Sequence, residues 1–143
     1  MADPRTNSEL ASSLRPAILR LSRRLRQMRD ESLDLSASQL GAMGVLFRNG
    51  ELPIGELAAQ EKVQPPSMTR TVNCLAEAGM VTRTAGDTDR RQSKVKLTEA
   101  GRGVLLADRR RRDAWLTKRI AELTPEEKRV LRQAVKILEK VND

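Results

Sequence analysis

The sequence predicts a mainly α-helical fold that contains one small antiparallel β-hairpin. Three observations predict it. Apolar residues recur at steps of three and four along most of the 143 residues, which places them on one face of a helix. Capping-box patterns at Ser36 and Thr124 mark two helix starts. In contrast, Lys94–Leu97 alternates strictly between cationic and apolar residues, which is typical of a half-buried strand.

The composition limits the function classes. The chain has 27 Lys and Arg against 19 Asp and Glu, and its net charge of +8 indicates a polyanionic partner, either nucleic acid or an anionic membrane surface. It has no His and one Cys, which excludes a Ser-His-Asp triad, a Cys-His pair, a His- or Cys-built zinc site and an intrachain disulfide. A carboxylate metal site or a Lys or Ser nucleophile stays open, but no residue spacing indicates one. We therefore predict no enzyme, no catalytic residue, no metal and no cofactor.

The N-terminus and the apolar runs predict a cytoplasmic protein. The first residues, MADPRTNSEL, contain no apolar signal-peptide core. No run approaches about 18 apolar residues, the length of a membrane-spanning helix. We expect neither export nor a membrane partner.

The first predicted helix is Leu10–Met28, and arginines lie on its polar face. Its apolar stripe comprises Leu10, Leu14, Ile18, Leu21, Leu25 and Met28. Pro16 lies inside the pattern and is expected to kink or delay the helix. A basic amphipathic stretch is also typical of a helix on a membrane surface. We favour a helix that packs on the core or on a second copy, because similar helices follow.

The remaining elements are three helices, a hairpin and two more helices. The three helices cover 36–49, 54–60 and 65–78, and the last of them ends at Gly79. Strand-like stretches over 80–84 and 94–97 form the hairpin. The two final helices begin at Thr98 and after the Thr124 cap. A short helix, a tight turn, a longer helix and a two-stranded hairpin together predict a winged helix-turn-helix.

The helix over 65–78 has the chemistry of a DNA major-groove reader. Met68, Val72 and Leu75 fall on one face and are predicted to pack inward. The opposite side is predicted to contact DNA through Pro66, Ser67, Thr69, Arg70 and Asn73. Arg pairs bidentately with guanine, Asn pairs with adenine, and Ser or Thr takes phosphate or a base edge. An ordinary amphipathic helix is the alternative, and the neighbouring hairpin argues against it.

Cys74 lies on the flank of the same helix. A thiol-switched regulator would use a reactive thiol at such a place. The chain has no second Cys to form a disulfide with it. We therefore favour a small residue that contributes to helix packing.

The hairpin is predicted to be a second DNA-binding element. Val95 and Leu97 are expected to point inward, whereas the outward side chains of Lys94 and Lys96 meet phosphates. In the loop, Arg90 and Arg91 are expected to reach a minor groove, where narrow A·T-rich stretches concentrate negative potential. Asp89 is expected to orient these arginines by pairing with one of them or by accepting hydrogen bonds within the turn.

Three stretches of the sequence resemble the MarR family of bacterial transcription regulators. They are LSASQLGAMGVL, GELAAQEKVQPPSMTRTVNCLAEAGMVTR and DRRQSKVKLTEAG. In the third stretch, Asp89 and Arg91 are followed after five residues by Leu97 and Thr98, which matches the wing pattern of the family. The resemblance covers about residues 35–101 at the level of motifs.

The resemblance implies a homodimeric regulator of nearby promoters, usually a repressor. It implies an N-terminal dimerisation helix over 1–34, a DNA-binding region over 35–98 and C-terminal dimerisation helices over 99–143, in one compact protomer. The dimer contacts expected from it are Leu10, Leu14, Ile18, Leu21, Val130, Val135, Leu138 and Val141. It also implies a palindromic double-stranded DNA site and release by a small-molecule effector, often aromatic or phenolic. A non-specific basic or architectural DNA-binding protein is the alternative function.

Replacing Asp89 with Ala tests the orienting role. If Asp89 organises the loop, Asp89→Ala weakens DNA binding, although removing a negative charge would by itself strengthen it. Titration of labelled duplex DNA with both proteins measures the difference. Tighter binding by the variant would show that only the charge matters.

Overall fold

A computed structural model describes residues 4–84 and 93–143, and it confirms the predicted fold class. Its elements are α1 (Pro4–Gln27), a 3₁₀ turn (Glu31–Leu33), α2 (Ala37–Asn49), β1 (Leu52–Pro53), α3 (Ile54–Gln60), α4 (Pro65–Glu77), β2 (Val81–Thr84), β3 (Lys94–Leu97), α5 (Glu99–Ala121) and α6 (Pro125–Asn142). The three strands form one antiparallel sheet in the order β1-β3-β2. None of the described helices is long and apolar enough to cross a membrane.

The chain divides into two compact units. One is Arg29–Arg110, and the other combines Arg111–Asp143 with the residues up to Met28. Every buried apolar side chain found among the described residues belongs to Arg29–Arg110. This core unit extends beyond the predicted DNA-binding region, 35–98, because it includes the first half of α5.

Helix ends follow the predicted capping chemistry. The Ser36 hydroxyl accepts from the Gln39 backbone N–H at 3.1 Å, and the Gln39 side chain accepts from Ser36 N–H at 2.8 Å. Thr124 and Glu127 form the same reciprocal pair at α6, at 3.2 and 2.8 Å. Each box satisfies two backbone donors that the first helical turn leaves without partners.

Two features differ from the sequence prediction. Helix α1 begins at Pro4 rather than Leu10 and runs through Pro16. Proline removes one helical hydrogen bond, but the residues on both sides are good helix formers and maintain the remaining bonds. The strand β1 was not predicted, because Leu52 and Pro53 show no alternation. It forms because the backbone there lies beside β3, with Leu52 opposite Val95.

A junction of hydrogen bonds joins the end of α4, the sheet and the start of α5. The Thr98 hydroxyl donates to the Gly79 carbonyl at 2.7 Å and accepts from Gly101 N–H at 3.0 Å. The Thr98 backbone N–H donates to the Met80 carbonyl at 3.0 Å. Gly79 ends α4 with a φ of +77°, a conformation that favours glycine.

The backbone of α5 approaches this junction too closely for a side chain at Gly101. A Cβ there would lie 2.1 Å from the Met80 carbonyl oxygen and 3.0 Å from Leu97 Cδ1. The sequence TEAG at 98–101 therefore provides a hydroxyl cap and, three residues later, the space that the cap requires.

Substitution of Gly101 tests this close approach. Gly101→Ala is expected to destabilise the protein by about 1–3 kcal/mol, because the rigid backbone of Met80 must move. Gly103 is the control on the same helix, since nothing lies within 4 Å of a Cβ there. Gly103→Ala is expected to stabilise by about 0.5–1 kcal/mol through helix propensity. Urea unfolding of the DNA-free protein measures both, and equal effects would contradict the close approach.

Candidate DNA-binding surface

The two faces of α4 are those that the sequence predicts. Met68, Val72 and Leu75 are buried in the core, together with Leu57 and Ala58 of α3. The five side chains predicted to contact DNA are all exposed: Pro66, Ser67, Thr69, Arg70 and Asn73. Burial of the apolar face thus determines which side of α4 is presented to solvent. The DNA contacts themselves stay a prediction.

The first turn of α4 carries no side-chain cap. Gln64 occupies the N-cap position without a side-chain hydrogen bond, and Pro65 and Pro66 follow it. The carbonyl of Gln64 instead accepts from the backbone N–H groups of Ser67 and Met68, at 3.0 and 3.2 Å. The two prolines contribute no N–H donor, so fewer backbone donors at this helix end are available to a phosphate.

Thr69 has its hydroxyl proton engaged within the helix. Its Oγ1 donates to the Pro65 carbonyl at 3.0 Å. In this rotamer the oxygen offers lone pairs outward, so it can accept from an amino group on a base edge, such as that of cytosine or adenine. A phosphate, which only accepts, would require the hydroxyl to rotate.

The hairpin alternates as predicted over its described strands. Val95 is fully buried, whereas Lys94 and Lys96 are exposed. Lys94 and Lys96 lie opposite Thr84 and Thr82 of β2, so these four side chains share one face of the sheet. The loop residues Asp89, Arg90 and Arg91 lie outside the described residues.

Two residues that the sequence analysis did not identify hold the hairpin in place. Arg83 of β2 donates from its guanidinium to the side-chain carbonyl oxygen of Asn73 on α4. Glu51, just before β1, accepts from the hydroxyl of Thr84 at the end of β2. The period of two in Val81-Thr82-Arg83-Thr84 indicates which face Arg83 occupies, but the partners are distant in sequence and follow only from the fold.

Cys74 is exposed, so the prediction of a packing residue is wrong. Its neighbour Leu75 takes the buried position instead and is fully buried. A helix turns by about 100° per residue, so the position beside a central core residue faces out when the core contact is narrow.

A cleft of about 200 Å³ lies within the core unit, beside the end of α2. Its lining includes Phe47, Lys96 and Arg102. The guanidinium groups of Arg102 and Arg109 each lie over the Phe47 ring, 4.8 Å from its centroid. These cation–π contacts link α5 to α2.

Comparison with known proteins agrees with this geometry. The family model for the MarR family matches residues 35–93. An HTH-type transcriptional regulator of Mycobacterium tuberculosis is 41% identical over 133 residues, which cover 93% of this chain and 92% of that protein. The chain belongs to the MarR family. It is a helix-turn-helix transcriptional regulator, and its relatives are regulators rather than enzymes.

Solved structures share the fold over nearly the whole chain. A transcriptional regulator structure from Pseudomonas aeruginosa matches with a TM-score of 0.83 and 27% identity, covering 99% of both chains. BpsR of Bordetella bronchiseptica, whose DNA binding is regulated by 6-hydroxynicotinic acid, matches with a TM-score of 0.73 and 20% identity, covering 94% of this chain and 99% of its own. At that identity the second match shows the fold alone.

The Glu51–Thr84 contact generates a prediction about DNA binding. Glu51→Ala removes the acceptor and is expected to weaken DNA binding about fivefold, because one hydrogen bond contributes roughly 1 kcal/mol to holding the base of the loop. Glu51→Gln removes the same charge but keeps an acceptor, and is expected to bind at least as tightly as the parent protein. Fluorescence anisotropy with one duplex measures both. Equal affinities of the two variants would contradict the role of the hydrogen bond.

Proposed function

We propose that this regulator is a homodimer that binds a palindromic double-stranded DNA site and represses nearby promoters. On this proposal 35–98 binds DNA, while 1–34 and 99–143 dimerise. The supporting observation is the exposed polar face of α4, which presents Arg70 and Asn73 to solvent in a MarR-family chain whose strand β3 also exposes Lys94 and Lys96. Bacterial DNA lies in the cytoplasm, and the protein acts there.

Base reading is assigned to α4, and phosphate contact to the hairpin. Arg70 is one helical turn behind Pro66 on the exposed face and carries a planar guanidinium, which suits the O6 and N7 atoms of guanine in the major groove. Lys94 and Lys96 carry point charges suited to phosphates. Arg90 and Arg91, in the loop, enter the minor groove, and Asp89 orients them.

Exposed apolar side chains support the homodimer. Of the twelve large apolar side chains that are exposed among the described residues, ten lie on α1 and α6, which decides where a partner would bury most apolar area. The predicted contacts Leu10, Leu14, Ile18, Leu21, Val130, Val135 and Val141 are exposed, and Leu138 is half-buried. No residue of α6, which is described throughout, is buried. A second copy related by a two-fold axis would cover both stripes.

Two-fold symmetry determines the form of the DNA site. Two α4 helices related by a dyad enter successive major grooves when the half-sites are about 10 bp apart. The half-sites are then inverted copies of each other. A monomer would select a single, asymmetric half-site.

A small-molecule effector completes the proposal. The fold match to BpsR, a protein regulated by 6-hydroxynicotinic acid, supports an effector-responsive regulator. The chain has one Phe, one Trp, no Tyr and no His, so few of its side chains can stack on an aromatic effector or titrate against it. The identity of the effector does not follow from this similarity.

Selection of bound fragments from genomic DNA, followed by titration of two variants, tests the function. We expect inverted half-sites about 10 bp apart. Arg70→Ala is expected to lower discrimination at one position of each half-site about tenfold, the effect of removing a bidentate hydrogen-bond pair to a base. Lys94→Ala is expected to weaken binding to all DNA sequences alike. It is also expected to make the negative slope of log K against log[salt] shallower by about 0.9 for each phosphate that the variant no longer neutralises.

The same experiment distinguishes the proposed sequence-specific regulator from the alternative, a non-specific DNA-binding protein. A non-specific architectural protein would bind scrambled duplexes as tightly as the selected site. Both variants would then change the salt dependence, and neither would change a base preference.

A further inference from the structure

A side-chain hydrogen bond connects α4, the proposed recognition helix, with β2 of the hairpin. The Arg83 guanidinium of β2 donates to Oδ1 of Asn73 on α4. Both side chains are exposed, so the contact lies on the surface rather than in the core. Through this bond, a residue from another element holds a side chain that is proposed to read a base.

The strand register explains why Arg83 reaches α4. Arg83 lies opposite Val95, and Val81 lies opposite Leu97, so Arg83 shares a sheet face with the buried Val81 and Val95. Lys94 and Lys96 lie on the other face, opposite Thr84 and Thr82. Arg83 therefore extends from the side of the sheet that packs on the core, beyond the last buried residue of β2, and meets the exposed face of α4.

The contact restricts the amide of Asn73. An Asn side chain carries an acceptor oxygen and a donor NH₂ group, and rotation of the amide exchanges their positions. A guanidinium on the oxygen favours one of the two orientations. The NH₂ group then points in one direction, and a base edge meets donor and acceptor in a defined order.

We propose that Arg83 is a positioning residue for base recognition, which acts by fixing the direction of the Asn73 amide. This inference rests on the proposed function. It assigns to β2 a part in sequence discrimination that differs from the phosphate contacts of β3. Arg83 needs no base contact of its own for this role.

Binding selection from duplexes with randomised half-sites tests the inference. Asn73→Ala is expected to flatten the base preference at one position of the half-site by about tenfold. Arg83→Ala is expected to flatten the same position and to leave the preference at the Arg70 position intact. The double variant Asn73→Ala/Arg83→Ala is expected to bind the selected site no more weakly than the weaker single variant, because both substitutions remove one coupled interaction.

Two further variants separate positioning from charge. Arg83→Met keeps a long unbranched side chain but has no hydrogen-bond donor, and it is expected to behave as Arg83→Ala. Agreement between the two variants would show that the effect comes from the lost donor and not from shortening the side chain on β2. Lys96→Ala removes one positive charge from the opposite face of the same hairpin and is expected to weaken all sequences alike. Unfolding midpoints close to that of the parent protein show that each variant is folded.

The possible results distinguish a failure of the Arg83 inference from a failure of the proposed function. Uniform weakening by Arg83→Ala and Arg83→Met, with every base preference kept, would show that Arg83 contacts only phosphate, and would overturn the inference. If Asn73→Ala left the base preference unchanged at every position, the inference would be overturned too. The proposed base contact of Arg70 would then still stand. Absence of any preference in the parent protein would instead overturn the proposed function.

Discussion

The organisation of the core unit, Arg29–Arg110, depends on the junction at Thr98. The Thr98 hydroxyl and backbone N–H donate to the carbonyls of Gly79 and Met80, so the start of α5 is bonded to the short segment that joins α4 to β2. Gly101 makes this approach sterically feasible, because any Cβ there would overlap the Met80 carbonyl. The pattern Leu97-Thr98-x-x-Gly101 thus has a structural explanation, because its hydrogen bonds and its close backbone approach fix the direction of α5 relative to the hairpin.

The two units differ in whether their apolar side chains are buried or exposed. Arg29–Arg110 contains a buried core to which α2, α3, α4, all three strands and α5 contribute. Helices α1 and α6 instead expose regular apolar stripes. A helix that is amphipathic and exposes its apolar face requires a partner surface, and burial of such area is the main favourable term in association. On the proposed function, the core unit reads DNA and α1 and α6 form the dimer, so the two tasks belong to parts of the chain with different packing.

Polar links extend the rigidity of the core to the surface. Beyond Val81 and Val95 no buried residue holds the described ends of the hairpin, and hydrogen bonds do so instead. Glu51 binds Thr84 on one face of the sheet, and Arg83 binds Asn73 on the other. Both links are exposed, so each contributes modestly to stability. They restrict the directions of the Thr84 and Asn73 side chains, which on the proposed function matters for the contact with DNA.

The sequence by itself determined the helical order, the capped starts of α2 and α6, the ends of α2 and α4, and the inward face of α4. These depend on local chemistry: periodicity, capping hydroxyls and glycines are recorded in neighbouring residues. It misplaced the start of α1 and missed β1, because Pro4–Glu9 carries no apolar stripe and a two-residue strand has no pattern. Only the tertiary structure exposed Cys74, paired Arg83 with Asn73 and brought Glu51 to Thr84. Ten residues separate the first pair and 33 the second. Contacts between elements are decided by strand register and core packing, which no local pattern specifies.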